Sequence, residues 1–118
     1  MSETELKVWG TLGSMSRSAP EHREYGGNTS AYTLRTPANS LIFLDAGSGI
    51  QFGQKELNET AEKVYLAFSH MHADHTMGLV MSGVPFACFR PEYKGKKISL
   101  MGPPGVVEGL QQFYDGKW

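Results

Sequence analysis

The sequence predicts a single α/β domain with strands layered against helices, and three patterns carry that prediction. Leu41-Ile42-Phe43-Leu44 and Val64-Tyr65-Leu66-Ala67-Phe68 are short, continuously apolar runs, as expected of strands covered on both sides. Thr29 to Arg35 alternates, with Ser30, Tyr32 and Leu34 on one face and Thr29, Ala31, Thr33 and Arg35 on the other, which suits a half-buried strand. Near the end of the sequence, Val106, Val107, Leu110, Phe113 and Tyr114 share one face of a helix, and a helix that amphipathic needs a surface to lie on.

The remaining elements follow in chain order. Leu6 to Thr11 has the character of a short strand, broken by Gly10 and Gly13. Residues 13–28 mix glycine, serine, proline, asparagine and charges without a period and read as a long loop, a length often tied to function in a compact domain. Pro37-Ala38-Asn39 forms a turn before the 41–44 strand, Asp45 ends that strand, and Ala46-Gly47-Ser48-Gly49 turns the chain. A weak helix is expected from Ile50 to about Thr60, with Gly53 acting against it. A short helix is expected over Thr76–Met81, and Ile98-Ser99-Leu100-Met101 is a strand stopped by Gly102-Pro103-Pro104-Gly105. Neither linker, repeat nor low-complexity segment interrupts the order.

Composition narrows the class. A chain of 118 residues fits one domain with a core of ordinary size. The formal net charge is −1 with Lys and Arg scattered, so no broad field favours nucleic acid or an anionic membrane as a generic partner. Lys94-Gly95-Lys96-Lys97 reads as a solvated turn. Cys88 is the single cysteine, so no intramolecular disulfide forms, which fits a reducing cytoplasm; within Val84–Phe89 it reads as a buried structural thiol. The polar, acidic start Met1-Ser2-Glu3-Thr4-Glu5 is unlike a signal peptide, and no apolar run approaches the ~20 residues of a membrane span. The expectation is a soluble cytoplasmic protein.

The chemistry concentrates in His70-Met71-His72-Ala73-Asp74-His75, immediately after the 64–68 strand. Three of the four histidines fall within these six residues, together with a carboxylate. Imidazole and carboxylate suit zinc, and also manganese or iron. If the strand continues, His70 and His72 face the same way, and a following turn lets Asp74 and His75 aim at a second position beside the first. Two ions roughly 3.5–4 Å apart hold a bridging hydroxide, clamp a scissile ester and neutralise the charge of a transition state. Metal-assisted hydrolysis is the expected reaction. Asp45 reads either as a carboxylate behind the ligands, taking the outer N–H of a ligating imidazole, or as a cap of the turn after its strand. His22 reads as a solvated loop residue, with contact to metal or substrate as the alternative. Gly47-Ser48-Gly49 lacks the following Gly-Lys-Ser/Thr of a phosphate loop.

The hexapeptide, preceded by Phe43-Leu44-Asp45-Ala46-Gly47, resembles the metallo-β-lactamase fold superfamily. Tyr25-Gly26-Gly27-Asn28-Thr29-Ser30, Gly78-Leu79 and Gly102-Pro103-Pro104-Gly105 look more like its phosphodiesterase branch, which includes tRNase Z-type endonucleases and cyclic-nucleotide and phosphonate-pathway phosphodiesterases. The resemblance runs from about Leu6 onward. It implies an α/β fold of αββα type, of which residues 1–118 are the N-terminal half, with a mixed sheet and flanking helices. It implies phosphodiester hydrolysis with two ions, zinc or else manganese or iron. His70 and His72 would be ligands of one ion and Asp74 and His75 of the other, with Asp74 also orienting the attacking hydroxide and Asp45 lying behind the ligands. The substrate would be a small-molecule or nucleotide phosphodiester.

The sequence also departs from that family. Its third histidine for the first metal, its bridging aspartate and its last histidine lie downstream of the matching segment. Here no histidine follows His75, and Asp115 is the single later aspartate, too early for the bridging position. Two protein ligands per ion is below the three that catalytic zinc usually takes, so affinity and geometry both suffer. A half-fold also exposes a sheet edge and the apolar surface its other half would cover. Three explanations compete: a piece of a longer protein, a homodimer in which each copy covers the other's exposed face, or a separately encoded second half. The alternative to catalysis is a non-catalytic metal-binding or assembly module.

Overall fold

The structure is a computed structural model describing residues 3–58, 63–81 and 98–114. Its centre is a five-stranded sheet in the order β1 (Glu5–Gly10), β2 (Ala31–Arg35), β3 (Ser40–Leu44), β4 (Lys63–Ala67) and β5 (Ile98–Met101). The first three strands run antiparallel and the last two lie parallel to β3, so the sheet is mixed and the fold α/β. The antiparallel β2–β3 pair is joined by Thr36–Asn39, where Asn39 takes φ +60°, a left-handed conformation asparagine tolerates well. The parallel β3–β4 connection needs a crossover. It begins with α1 (Ile50–Gly53) and a 3-10 segment, Gln54–Asn58.

The register explains which residues form the core. One face carries the rows Thr33, Phe43, Leu66, Leu100 and Arg35, Leu41, Val64, Ile98 across neighbouring strands. Leu41, Phe43, Val64 and Leu66 are at most 3% exposed and form one cluster with Ile50, Leu57, Leu79, Val106 and Leu110 from the helical segments. Full burial of a side chain such as Phe43 contributes about 1.5–3 kcal/mol. The two-sided covering expected for the 41–44 and 64–68 runs is not what the described residues show. The opposite face carries the rows Leu6, Leu34, Ile42, Tyr65, Ser99 and Val8, Tyr32, Leu44, Ala67, Met101. On it Ile42, Leu44, Tyr65 and Ala67 are half-buried, whereas Leu6 and Val8 are 56% and 55% exposed.

Strand β2 turns its more polar face inward, burying Ala31, Thr33 and Arg35. Each buried polar group has a partner, as burial requires. Thr33 Oγ1 accepts from Trp9 Nε1 at 2.9 Å, and the Arg35 guanidinium donates to Glu56 Oε2, to the Glu56 carbonyl and to Asn39 Oδ1. The helix expected over 50–60 is split, and its second piece supplies the Arg35 partner. After Gly53 the chain tightens, which buries Leu57 in the core and Glu56 beneath β1 and β2. The short helix expected at 76–81 is also two pieces, α2 (Ala73–Thr76) and α3 (Gly78–Met81). The last helix, α4 (Val106–Tyr114), buries Val106 and Leu110 of the expected apolar face and half-buries Val107, and the side chains of Phe113 and Tyr114 lie outside the described residues. Cys88 and its apolar stretch, Lys94–Lys97, Asp115 and the end of the expected 50–60 helix lie outside the described residues. Among the described residues no helix is long and apolar enough to cross a membrane.

Burial pushes the Glu56 carboxyl up, but hydrogen bonds from Lys7 and Arg35 outweigh it and hold the group below the ordinary carboxylate range. A lowered folded-state pKa contributes stability that is complete above the unfolded value and is lost as pH falls through the folded one. Replacing Glu56→Gln strands the buried Arg35 charge and is expected to cost about 3–5 kcal/mol at neutral pH. Thermal denaturation should show a fall in Tm on the order of 10 °C, shrinking as pH drops below the Glu56 range, where the native carboxyl is also uncharged. An unchanged Tm at neutral pH contradicts the ion-pair account.

Candidate metal centre

The parallel strands β3 and β4 end side by side, and the groups that carry chemistry gather just beyond those carboxyl ends. That is the usual place for a site on an open α/β sheet. Asp45 is the first residue past β3. Its φ of +60° is unusual for a residue with a side chain, and its N–H donates to the Ala67 carbonyl at 2.7 Å, locking it against the end of β4. From there its carboxylate accepts the Ser69 N–H at 2.8 Å, accepts the Ser69 hydroxyl at 2.9 Å through Oδ2, and meets His75 Nδ1 at 2.8 Å.

These bonds decide the proton positions on two imidazoles. Ser69 has one hydroxyl proton and gives it to Asp45, so its oxygen accepts from His70 Nδ1, 2.8 Å away. His75 likewise gives its Nδ1 proton to the Asp45 carboxylate. In the neutral forms both rings then keep their lone pair at Nε2. A single carboxylate, directly and through one serine, thus orients both imidazoles.

Helix α2 brings the remaining groups. His72 is its N-cap residue in extended conformation, and its carbonyl accepts the His75 N–H at 2.9 Å. The turn thus started places Asp74 Oδ2 3.4 Å from His75 Nε2. Asp74 Oδ2 also accepts the N–H of Ser14 at 3.1 Å, and Ser14 holds φ +71° to aim it. That hydrogen bond, helped by the neighbouring His75 and His72, keeps the Asp74 carboxyl below its ordinary range, so it is ionised at neutral pH.

His70, Asp74 and His75, each half-buried, bring one donor atom apiece to within 4.8 Å of one another. Donors on a tetrahedral ion with ~2.0–2.1 Å bonds stand about 3.3 Å apart, so this set closes by up to about 1.5 Å to hold one. Two imidazoles and an ionised carboxylate suit zinc and its first-row neighbours. The strand geometry expected for His70 and His72 does not apply. Strand β4 stops at Ala67, and the motif is loop followed by helix. His72 is exposed and stands at the edge of the cluster, its ring 4.6 Å from that of His70, while His70 and His75 rings are 4.1 Å apart. Asp45 is not a simple helix cap, because its carboxylate is spent on Ser69 and His75. Ser69 and Ser14 were not singled out in the sequence. Ser69 had a signal in its place between strand and motif, and Ser14, acting through its backbone from sixty residues away, had none.

Asp45→Ala removes the acceptor that orients both rings. Zinc affinity of the folded variant, read by isothermal titration, is expected to fall about 10–100-fold. Unchanged affinity would reduce Asp45 to a turn residue.

No family model matches the sequence. Over 63 residues, 52% of this chain and 20% of its relative, the sequence is 35% identical to a ribonuclease Z of Pyrobaculum arsenaticum. The fold matches the crystal structure of the metallo-β-lactamase fold protein YhfI from Bacillus subtilis with a TM-score of 0.58 and 16% identity, over 92% of this chain and 40% of that one. The chain therefore spans about a fifth and two fifths of the lengths of these two proteins. With a mixed sheet, its helices on the core face and a histidine-rich turn beyond the strand ends, the chain has the metallo-β-lactamase fold and a ribonuclease Z-like relationship in sequence.

Proposed function

We propose that the chain is a metal-dependent hydrolase acting on phosphodiesters. The observation that carries this reading is the Asp45 relay, which turns the Nε2 atoms of His70 and His75 into donors beside an ionised Asp74. Such an arrangement has little purpose on a protein that only needs to fold, since a carboxylate serving two imidazoles and a serine is costly to desolvate. The likeness to a protein named as a ribonuclease favours phosphodiesters over other esters.

His70, Asp74 and His75 would hold an ion, zinc in the first place and manganese or iron otherwise. Three protein donors is the number catalytic zinc usually takes. His72, at the rim, would contribute to a second ion with donors beyond this cluster. A bound divalent ion supplies Lewis acidity that polarises a phosphoryl oxygen and acidifies water. The chain's own groups do the rest. Asp45 and Ser69 keep both rings oriented, the Ser14 N–H holds the Asp74 carboxylate in place, and Asp74 orients the attacking water.

A second reading, a non-catalytic metal-binding or assembly module, is favoured by the apolar outer face of the sheet, with Leu6, Val8 and Met101 exposed. In it, a symmetric homodimer buries the same face on both copies. Small-angle scattering that shows a monodisperse monomer excludes this form of assembly.

For the catalytic reading, bis(p-nitrophenyl) phosphate is the simplest test substrate. With zinc or manganese, the chain is expected to hydrolyse it at least roughly a hundredfold faster than a His70→Ala/His72→Ala double variant. Equal rates remove the catalytic proposal.

A further inference from the structure

Residues 13–28 form a built loop rather than a tether. Its two ends are zipped together by Leu12 N–H to the Asn28 carbonyl at 3.0 Å and Arg17 N–H to the Gly27 carbonyl at 2.8 Å. Gly27 lies so close to the Arg17 carbonyl that any side chain there would collide with it. Between the ends, Pro20–His22 makes a turn of 3-10 helix, with His22 N–H bonded to Ala19 and Arg23 N–H to Pro20. The loop is then clamped to the body of the protein. Thr29 and Ser48 exchange hydrogen bonds, each backbone N–H going to the other's hydroxyl, and the Ser48 hydroxyl donates to Asn28 Oδ1.

Closing the loop this way leaves an open pocket of about 330 Å³, lined by Arg17, Ser18, Ala19, Pro20, His22, Arg23 and Gly27. Two arginines and a histidine thus line one concavity. Among the described residues, no carboxylate forms an ion pair with Arg17 or Arg23. Glu21 and Glu24 belong to the same loop, yet neither lines the pocket. The pocket also has a fixed relation to the metal centre, because Ser14, which holds Asp74, stands three residues before Arg17. Three residues span at most ~11 Å, so the backbone of Arg17, at the pocket wall, lies within that distance of Ser14.

We propose that this pocket binds a phosphate group of the substrate other than the one at the metal centre. Guanidinium forks match phosphate oxygens in pairs, and a concave basic site focuses its field on an anion. The assignment rests on the phosphodiesterase reading for the identity of its ligand. It names the substrate class as one with a second phosphate next to the scissile one, a short oligonucleotide or a phosphorylated dinucleotide. Arg17 and Arg23 hold that phosphate, and His22 lines the wall between them.

The test separates the pocket from the metal centre. Chelator-treated protein is titrated with inorganic phosphate and followed by amide chemical shifts, with acetate at the same ionic strength as control. Saturating shifts are expected within residues 17–27, and Arg17→Ala and Arg23→Ala should each weaken phosphate binding by roughly tenfold, the size of one charge-assisted hydrogen bond. Both side chains are exposed, so neither truncation threatens the fold. On zinc-loaded protein, a 5′-phosphorylated dinucleotide should bind more tightly than its unphosphorylated form, and each variant should erase the difference. Phosphate shifts that fail to saturate, that acetate reproduces, or that survive both substitutions overturn the proposal. Because bis(p-nitrophenyl) phosphate has no second phosphate, its hydrolysis reports on the metal centre alone. A failed pocket and a failed hydrolase therefore give different results.

Discussion

The contact on which the rest of the site depends is the close packing of the turn Ala46-Gly47 against the start of α3. Ala46 N–H donates to the His75 carbonyl at 2.7 Å, and the Ala46 carbonyl accepts the Gly78 N–H at 2.8 Å. Gly47 N–H reaches the Ser30 carbonyl at 2.8 Å. Four segments meet there: the end of β3, the His-rich motif, the start of β2 and, through Ser48 and Thr29, the closed loop. The approach requires glycine on both sides. A Cβ on Gly78 would collide with the Gly47 carbonyl, and one on Gly47 would collide with the Asp74 carbonyl and the Thr29 hydroxyl. These neighbours are largely backbone, which cannot rotate away as a side chain can. The spacing between Asp45 and His75, and so the relay, follows from this packing.

Much of the sheet was legible because its cause is local. The runs 41–44 and 64–68 could be little else than strands, and the structure has them as neighbours. Their covering was not legible. Ile42 is as apolar in sequence as Leu41, and Tyr65 sits in the same apolar run as Val64, but only Leu41 and Val64 face the helices. Apolar content says that a residue can be buried, and the layer that buries it lies elsewhere in the chain. The same limit applies to the 50–60 segment. Gly53 signalled a weak helix, but the chain tightens after it into a 3-10 segment whose Glu56 pairs with Arg35, a partnership only the fold reveals.

The site divides along the same line. The residue types at 70–75 announce metal chemistry through composition alone. Their grouping depended on where β4 ends, and that end is set by Asp45 accepting from Ser69 just past it and donating to Ala67. Once the chain leaves the sheet at Phe68, side-chain alternation no longer governs direction. The α2 turn then brings Asp74 and His75 back onto His70 and leaves His72 at the rim. Pairing across thirty residues, as between Asp45 and His75, or sixty, as between Ser14 and Asp74, has no local signature.

Backbone strain is concentrated where the chemistry needs it. Among the described residues three side-chain-bearing positions hold positive φ: Ser14, Asn39 and Asp45. Asn39 turns an ordinary strand connection. The other two each use the unfavourable conformation to deliver a hydrogen bond into the cluster, Ser14 its N–H to Asp74 and Asp45 its carboxylate to Ser69 and His75. Such conformations cost of order 1–3 kcal/mol each and persist only where the surroundings over-determine them. Here the surroundings are the Asp45–Ala67 backbone bond and the zipped ends of the 13–28 loop. Stability generated in the buried core thus offsets strain at two residues, and at both the result is a hydrogen bond within the cluster: the Ser14 N–H to Asp74, and the Asp45 carboxylate with Ser69 and His75. Groups held in this way have less side-chain freedom left to lose when they engage a ligand.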